Sequence, residues 1–384
     1  MVDSASAMSS DGYDRLRELK AFDETKAGVK GFVDAGVTTI PRIFHHPPDP
    51  TPVASPSKSA AIPVIDLAFP DRDSIVSQVS SAAESVGFFQ VVNHGVPAQL
   101  MESTLAAVRS FNEQPTAAKR EIYTRDTSRR VRFNSNFDLY ESPAANWRDT
   151  LFCQAAPDPP RPEEFGLPFA ASAAAAVLLE YAEHARRLAL AVLELISSAL
   201  GLDRDRLGKT MGCAEGVSLV SNYYPPCPEP DLTVGTGRHS DPAFLTVLLQ
   251  DGMGGLQALL DGQWVDVPPV NGALVVNVGD LLELVSNGRL RSVEHRVVAN
   301  RSRETARVSV AAFCNVDLGS ENSWSRLYGP IAELISGEDG GERPQYRSIT
   351  VAEFLAHYDG KGLDGCPALH HFRLPDAAGT TPLH

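Results

Sequence analysis

The chain has 384 residues, 43% hydrophobic and 21% charged, which excludes wholesale disorder and allows one large domain or two smaller ones around a sizeable core. Its formal net charge of −14 repels phosphate backbones, and the richest basic cluster, Arg129, Arg130 and Arg132, is too short to offset this, so nucleic acid is not an expected partner. The five cysteines, Cys153, Cys213, Cys227, Cys314 and Cys366, are odd in number, widely spaced and form no CxxC, which points to buried thiols in a reducing, cytoplasmic compartment.

The N-terminus has neither the basic and apolar regions of a secretory signal nor the Arg bias of a transit peptide. Residues 11 to 45 form a polar, mixed-charge lead with helical character around Tyr13 to Gly28. Five prolines between Pro47 and Lys58 then predict a semi-rigid linker or an extended surface arm. Ile62-Pro-Val-Ile-Asp66 opens the compact part as a short strand. Ser74 to Val86 reads as a helix stopped by Gly87, Phe88 to Val92 as a strand, and Gln99 to Asn112 as a helix. The long helix Ala171 to Leu200 should bury a face carrying Val177, Tyr181, Leu188, Val192, Leu195 and Ala199. Its charged residues, Glu180, Glu183, Arg186, Arg187 and Glu194 among them, exclude a membrane span. From Val217 the pattern changes to short apolar runs: Val217–Tyr224, Thr233–His239, Phe244–Gln250, Leu256–Leu260, Gln263–Val267, Leu274–Val278, Val293–Asn300 and Arg307–Asn315. Eight short strands at this spacing predict a β-sandwich or barrel, with Asp261-Gly262 as a two-residue hairpin. Helical character returns at Val351 to Asp359.

Two His-x-Asp pairs are present, His239-Ser240-Asp241 and His357-Tyr358-Asp359, and either alone could be an ordinary His–carboxylate hydrogen bond. On a strand, residues i and i+2 share a face, so an imidazole and a carboxylate would converge. Only the first pair is followed by a series of strands and then a further histidine, His295, fifty-four residues beyond Asp241. Two histidines and one carboxylate with open positions form the facial triad of non-haem Fe(II) oxygenases. On the next predicted strand, Arg307-Val308-Ser309 places a guanidinium and a hydroxyl on one face, a natural clamp for a carboxylate. Upstream, Asn222 and Tyr224 share a face just before Pro225-Pro226-Cys227-Pro228.

This combination resembles the plant 2-oxoglutarate- and Fe(II)-dependent dioxygenases, as do Ile62-Pro-Val-Ile-Asp66 and Gly87-Phe-Phe-Gln-Val-Val-Asn93-His94-Gly95-Val-Pro97. The lead, Ala21 to Gly31 and Ile40 to Phe44, is similar to the branch of 1-aminocyclopropane-1-carboxylate oxidase homologues, which includes the grass benzoxazinoid-glucoside (DIBOA-glucoside) dioxygenases. The resemblance implies a mixed α+β fold, a double-stranded β-helix (jelly roll) flanked by helices. It divides the chain into a lead and Pro-rich linker (1–58), an N-terminal packing region (59–212), a jelly-roll core (213–330) and a helical tail (331–384). It implies His239, Asp241 and His295 as iron ligands, and Arg307 and Ser309 as the seat of the distal carboxylate of 2-oxoglutarate, assisted by Tyr224 and Asn222. Ascorbate is implied as a reductant. Val220, Phe313 and Asn315 occupy positions of substrate contact, Phe133 to Tyr140 suggests a strand or lid over the mouth, His94 reads as structural, and so does Trp147-Arg148-Asp149.

The expected partners are therefore a small-molecule substrate, 2-oxoglutarate and O₂, with no membrane and, for want of an exposed apolar repeat, a monomeric state. The expected activity is hydroxylation of a small specialised metabolite, with a benzoxazinoid glucoside as the specific candidate. The alternatives are an ascorbate-dependent, ethylene-forming oxidase and a non-enzymatic jelly-roll binding protein. The roughly sixty-residue lead before Ile62 disfavours the first, and the complete triad with its anchor disfavours the second.

Overall fold

The computed structural model describes residues 13–54, 62–166, 169, 173–335 and 343–375. Twelve strands build two facing sheets: β1 (Val64–Asp66), β2 (Phe88–Val92), β3 (Val131–Asn134), β4 (Asp149–Ala156), β5 (Gly216–Tyr224), β6 (Val234–His239), β7 (Leu245–Gln250), β8 (Leu256–Leu260), β9 (Gln263–Asp266), β10 (Leu274–Val278), β11 (His295–Val298) and β12 (Arg307–Asn315). The larger sheet runs β1-β2-β10-β7-β12-β5-β4-β3 and the smaller β6-β11-β8-β9. All pairs are antiparallel except β1 with β2. The strand series predicts a β-sandwich or barrel, and the two sheets are the jelly-roll core that the resemblance implies. Segments 59–212 and 213–330 share its larger sheet, because β1 to β4 complete the sheet that β5, β7, β10 and β12 begin.

Alternation along the central strands sets the two faces. Val308, Val310, Ala312 and Cys314 of β12 point backward into the main apolar cluster, where the long helix Ala174–Ala199 packs with Tyr181, Leu188, Val192 and Leu195. Small residues on that helix, Ala182, Ala185 and Ala189, are buried as well, so its packed stripe is wider than the predicted one, whereas Val177 and Ala199 are only partly buried. The opposite parity, Arg307, Ser309, Ala311 and Phe313, faces the space between the sheets. The hairpin between β8 and β9 turns at Asp261 and Gly262, with φ of 48° and 74°, the left-handed pair that a two-residue turn requires.

The lead has a core of its own. Helices Arg15–Thr25 and Gly28–Asp34 bring Phe22 and Phe32 against Phe44 and Trp147, with ring centroids 5.1–6.4 Å apart. The second helix begins at Gly28 (φ +67°), whose missing side chain leaves room for Asp149: a Cβ would lie 2.3 Å from Asp149 Oδ1. That carboxylate accepts from the backbone N–H of Val29 (2.7 Å) and of Lys30 (2.8 Å). The described part of the Pro-rich stretch, 47–54, is an arm laid on the outer edge of β9 rather than a linker. Trp264 N donates to Pro52 O, Ala54 N donates to Trp264 O, and Asp49 Oδ2 accepts from Trp264 Nε1 and from Arg296, both at 2.7 Å. An unpaired strand edge invites wrong pairing, and the arm covers it. Residues 55–58 of the stretch lie outside the described residues. Of the five cysteines four are buried, but Cys366 is exposed, against the expectation for it. Among the described residues no helix is long and apolar enough to cross a membrane.

Candidate active site

His239 ends β6 and His295 begins β11, and the two stand directly opposite one another in the ladder of the smaller sheet. Asp241 lies just past the end of β6, in the turn to β7, and reaches back between them. Its Oδ1 is 3.5 Å from His239 Nε2 and 3.4 Å from His295 Nε2. The three ligand-type atoms lie within 4.8 Å of one another, the one such cluster among the described residues.

Every other polar atom of the trio is occupied. His239 Nδ1 lies 2.8 Å from Gly237 O and His295 Nδ1 lies 3.1 Å from Val293 O. A carbonyl can only accept, so Nδ1 of each ring carries a proton and Nε2 is the nitrogen turned to the shared point, where the neutral ring has a lone pair to offer. Asp241 Oδ2 accepts from Thr246 Oγ1 and from Asn277 Nδ2, both at 2.7 Å, which leaves Oδ1 for the centre. Burial would push the Asp241 carboxyl up, but the imidazoles of His295 and His239 hold it well below the usual carboxylate range. Burial and the neighbouring His295 push His239 down, toward the neutral form a metal needs, whereas at His295 burial is outweighed by the Asp241 carboxylate, which holds the imidazole above its usual value. The donor set, two imidazoles and a carboxylate on one side of an open cavity, fits Fe(II).

A cavity of about 430 Å³ opens above the trio. Its lining includes the inner-face residues Thr150 and Phe152 of β4, Val220, Asn222 and Tyr224 of β5, and Arg307, Ser309 and Phe313 of β12. Arg307 is buried without a carboxylate partner among the described residues. It donates to Ser309 Oγ (3.1 Å), Gln250 Oε1 (3.0 Å) and Gly254 O, and its guanidinium lies 5.0 Å from the centre of the Tyr224 ring. Burial would raise the Tyr224 hydroxyl, but the charges of Arg307 and Arg148 outweigh it and hold the phenol below its usual value. Asn222 Oδ1 accepts from Thr150 Oγ1 at 2.9 Å.

Two predicted pocket residues lie elsewhere. Phe133 is fully buried behind the sheet, edge-on to Phe111 at 5.2 Å and Tyr123 at 5.7 Å, while its strand neighbours Arg132 and Asn134 line the cavity. A strand alternates faces, so the correct segment gave the wrong parity. Asn315 sits at the far end of β12, 3.4 Å from Pro242 O and outside the cavity lining. The lid reading is met in part: β3 ends at Asn134, and Phe137 beyond it stacks over Tyr358 with ring centroids 6.4 Å apart. His357-x-Asp359 lies on the helix Val351–Lys361, where i and i+2 point apart. Asp359 lines the cavity mouth while His357 stacks on His371 at 4.2 Å. His94 is held in a turn, 3.0 Å from Gly272 O and accepting from Val96 N. Trp147 is packed in the lead's core with its Nε1 donating to Pro226 O, but Arg148 beside it faces the cavity, which corrects the structural reading of that residue.

Thr246, Asn277, Gln250, Thr236 and Arg148 belong to no motif in the sequence. Their only mark there is inner-face parity on a strand or beside its end, legible once the register is known.

Similarity to known proteins agrees with this geometry. Residues 216–316 match the 2OG-Fe(II) oxygenase superfamily model and residues 62–168 match the model of the non-haem dioxygenase N-terminal region named for morphine synthesis. The chain belongs to the 2-oxoglutarate- and Fe(II)-dependent oxygenase family and is a dioxygenase that uses both. It is 48% identical to 1-aminocyclopropane-1-carboxylate oxidase homolog 1 of Arabidopsis thaliana over 94% of this chain and 97% of the relative. It is 46% identical to the homologue from Solanum lycopersicum over 95% and 98%. The crystal structure of JOX2 in complex with 2OG, Fe and JA matches 91% of this chain and 98% of its own, with a TM-score of 0.78 and 29% identity. The rice dioxygenase for auxin oxidation matches 82% and 100%, with a TM-score of 0.64 and 26% identity.

Proposed function

We propose that the protein hydroxylates a small specialised metabolite, with His239, Asp241 and His295 as the iron ligands and Arg307, Ser309 and Tyr224, assisted by Asn222, as the seat of the distal carboxylate of 2-oxoglutarate. The observation that carries this reading is the convergence of two imidazole Nε2 atoms and Asp241 Oδ1 on one point, with every outer atom of the trio hydrogen-bonded. When bound, Fe(II) and 2-oxoglutarate supply O₂ activation coupled to decarboxylation to succinate and CO₂, with ascorbate as a reductant. The chain's own part is positional. Thr246 and Asn277 hold the Asp241 carboxylate in one rotamer, and the carbonyls of Gly237 and Val293 set both histidine tautomers. Arg307 offsets a carboxylate whose unpaired burial would be costly. Phe152, Val220 and Phe313 present apolar surface that excludes water and holds the substrate's reacting carbon above the metal.

The solved relatives are named for JA and for auxin oxidation, which favours a compact organic substrate. Among plant metabolites a benzoxazinoid glucoside is the first candidate, because the lead resembles that branch. We assign segment 213–330 the catalytic groups and 59–212 the frame. The buried thiols Cys153, Cys213, Cys227 and Cys314 support a cytoplasmic location, and a monomer is the simplest state consistent with a cavity built from one chain.

Anaerobic titration of the protein with Fe(II) and then 2-oxoglutarate tests this reading. A visible charge-transfer band at one equivalent of each is expected, followed by succinate formation that depends on one metabolite from a panel headed by benzoxazinoid glucosides. Iron binding without the band, or no iron binding, would overturn it.

A further inference from the structure

Arg148 lines the cavity beside the predicted anchor and is itself 7% exposed. Among the described residues no carboxylate lies within 4.0 Å of its guanidinium; its Nε is buried without a partner, and its one side-chain hydrogen bond runs from NH1 to Thr236 Oγ1 at 3.0 Å. A buried cation left this way is costly, and it persists where something bound offsets it. Its place is fixed from the backbone. Trp147 N donates to Val234 O of β6 and Trp147 Nε1 to Pro226 O just after β5, which holds the residues before β4 in place. Asp149 pairs with Tyr223, so the next step of the ladder sets Arg148 across from Tyr224, whose other neighbour, on β12, is Arg307. Tyr224 is thus flanked by two guanidinium-bearing positions, one on each adjacent strand.

Thr236 Oγ1 also lies 3.2 Å from Tyr224 Oη. Hydroxyl pairs usually leave donor and acceptor undecided, but a guanidinium has no acceptor. Thr236 must therefore accept from Arg148, and among the described residues Tyr224 Oη is the one acceptor within reach of its own hydrogen. Tyr224 then accepts from Thr236 and has its own hydrogen to give. On the other side of Tyr224, Arg307 cannot accept, and the Ser309 hydroxyl, which already accepts from Arg307, has a hydrogen of its own to give.

We propose that Arg148 gives direction to a hydrogen-bond relay, Arg148 to Thr236 to Tyr224, which aims the Tyr224 hydroxyl hydrogen at the distal carboxylate of 2-oxoglutarate. Arg148 and Thr236 are then positioning residues for the cosubstrate, outside the Arg-x-Ser motif. This rests on the anchor reading above. It adds that the carboxylate seat draws on two cations, one acting directly and one through two hydroxyls. A fixed chain of donors polarises each member, so the last hydrogen bond is stronger than an isolated phenol would make.

The test is anaerobic titration of the Fe(II)-loaded full-length protein with 2-oxoglutarate, following the visible band in wild type, Arg148→Gln, Arg148→Lys, Thr236→Val and the double variant Arg148→Gln/Thr236→Val. Each of the Gln and Val single variants is expected to weaken 2-oxoglutarate binding about tenfold, since each breaks a hydrogen bond that serves a charged group. The double variant should be no weaker than the weaker single variant, because both cut the same chain. Arg148→Lys should recover most of the loss, and Fe(II) affinity should be the same throughout. Thr236→Val keeps both cations and the shape of the side chain, so it decides the matter if an Arg148 variant folds poorly. Wild-type affinity in Thr236→Val, additive losses in the double variant, or an Arg148→Gln effect confined to the KM of the hydroxylated substrate would each overturn the relay. If the wild-type protein gives no band, the anchor reading itself fails.

Discussion

On the floor of the cavity each polar atom that does not face the centre is tied to a partner on a neighbouring strand or turn. Asp241 is held from β7 and β10, His239 and His295 by carbonyls two residues before them, and Arg307 from β7 and the turn after it. The mouth is built from segments far apart in the chain. Arg132 of β3 lies 4.0 Å over the Phe152 ring and donates to Thr127 O, while Phe137, 44% exposed, leans on Tyr358 of the C-terminal helix. Leu363 is fastened to that side by its N–H, which donates to Asp138 Oδ2 and Ser142 Oγ. Paired strands hold a functional group to a few tenths of an ångström, whereas exposed aromatic and charged side chains on loops can be exchanged at little cost to the fold. Reaction chemistry and substrate choice should therefore separate cleanly under mutation.

The largest expected effect falls on the floor. Asp241→Ala should remove Fe(II) binding and lower turnover at least a thousandfold while the far-ultraviolet circular dichroism stays that of wild type; measurable turnover in an iron-free sample would refute the ligand assignment. Arg307→Lys exchanges a fork for a point charge and should raise the 2-oxoglutarate requirement about ten- to hundredfold, read from the same optical titration. Asn277→Leu frees one lone pair of Asp241 Oδ2 and should weaken Fe(II) binding about tenfold, measured by competition with a chelator, with the fold intact. At the mouth, Phe152→Ala should alter the substrate KM a few-fold and reorder a substrate panel without moving the 2-oxoglutarate titration. A shift in both would break the separation between floor and mouth.

The smallest effect on activity is expected outside both regions, and it is a pH effect on stability. Burial pushes the Asp149 carboxyl up to about 6, against which the Val29 and Lys30 amides work. With a folded value above the unfolded one, the folded state holds this proton more tightly. The stabilisation is present in full below about pH 4 and is lost as the pH rises toward 6, by no more than about 3 kcal/mol. Asp149→Asn should flatten the fall in melting temperature between pH 4 and 6 and leave the part due to the buried Asp280, which is raised to about 7. An unchanged slope would assign it to another group.

Much of the floor is legible in the order of residues. His239-x-Asp241, His295, Arg307-x-Ser309 and Tyr224 are close pairs or stand at the ends of apolar runs, and the strand limits of β8, β10 and β12 match the runs that announce them. Local spacing suffices there because i and i+2 on a strand share a face whatever the strand packs against. Even so, Asp241 lies past the end of β6, so the pair converges through a turn rather than along a strand.

The chemistry is written in the chain: a carboxylate and two imidazoles at the ends of strands, an arginine fork on the strand after, and enough alternating apolar residues to close a sandwich around them. Which side chains meet inside that sandwich is settled only when the strands pack. Packing turns Phe133 to the back of the sheet and Arg132 to the front, places Asn277 and Thr246 on Asp241, lays residues 47–54 along the edge of β9, and sets Arg148 across from Tyr224. The cause is register. A shift of one residue between neighbouring strands exchanges the two faces, and nothing in a strand's own composition records which register its neighbours will take.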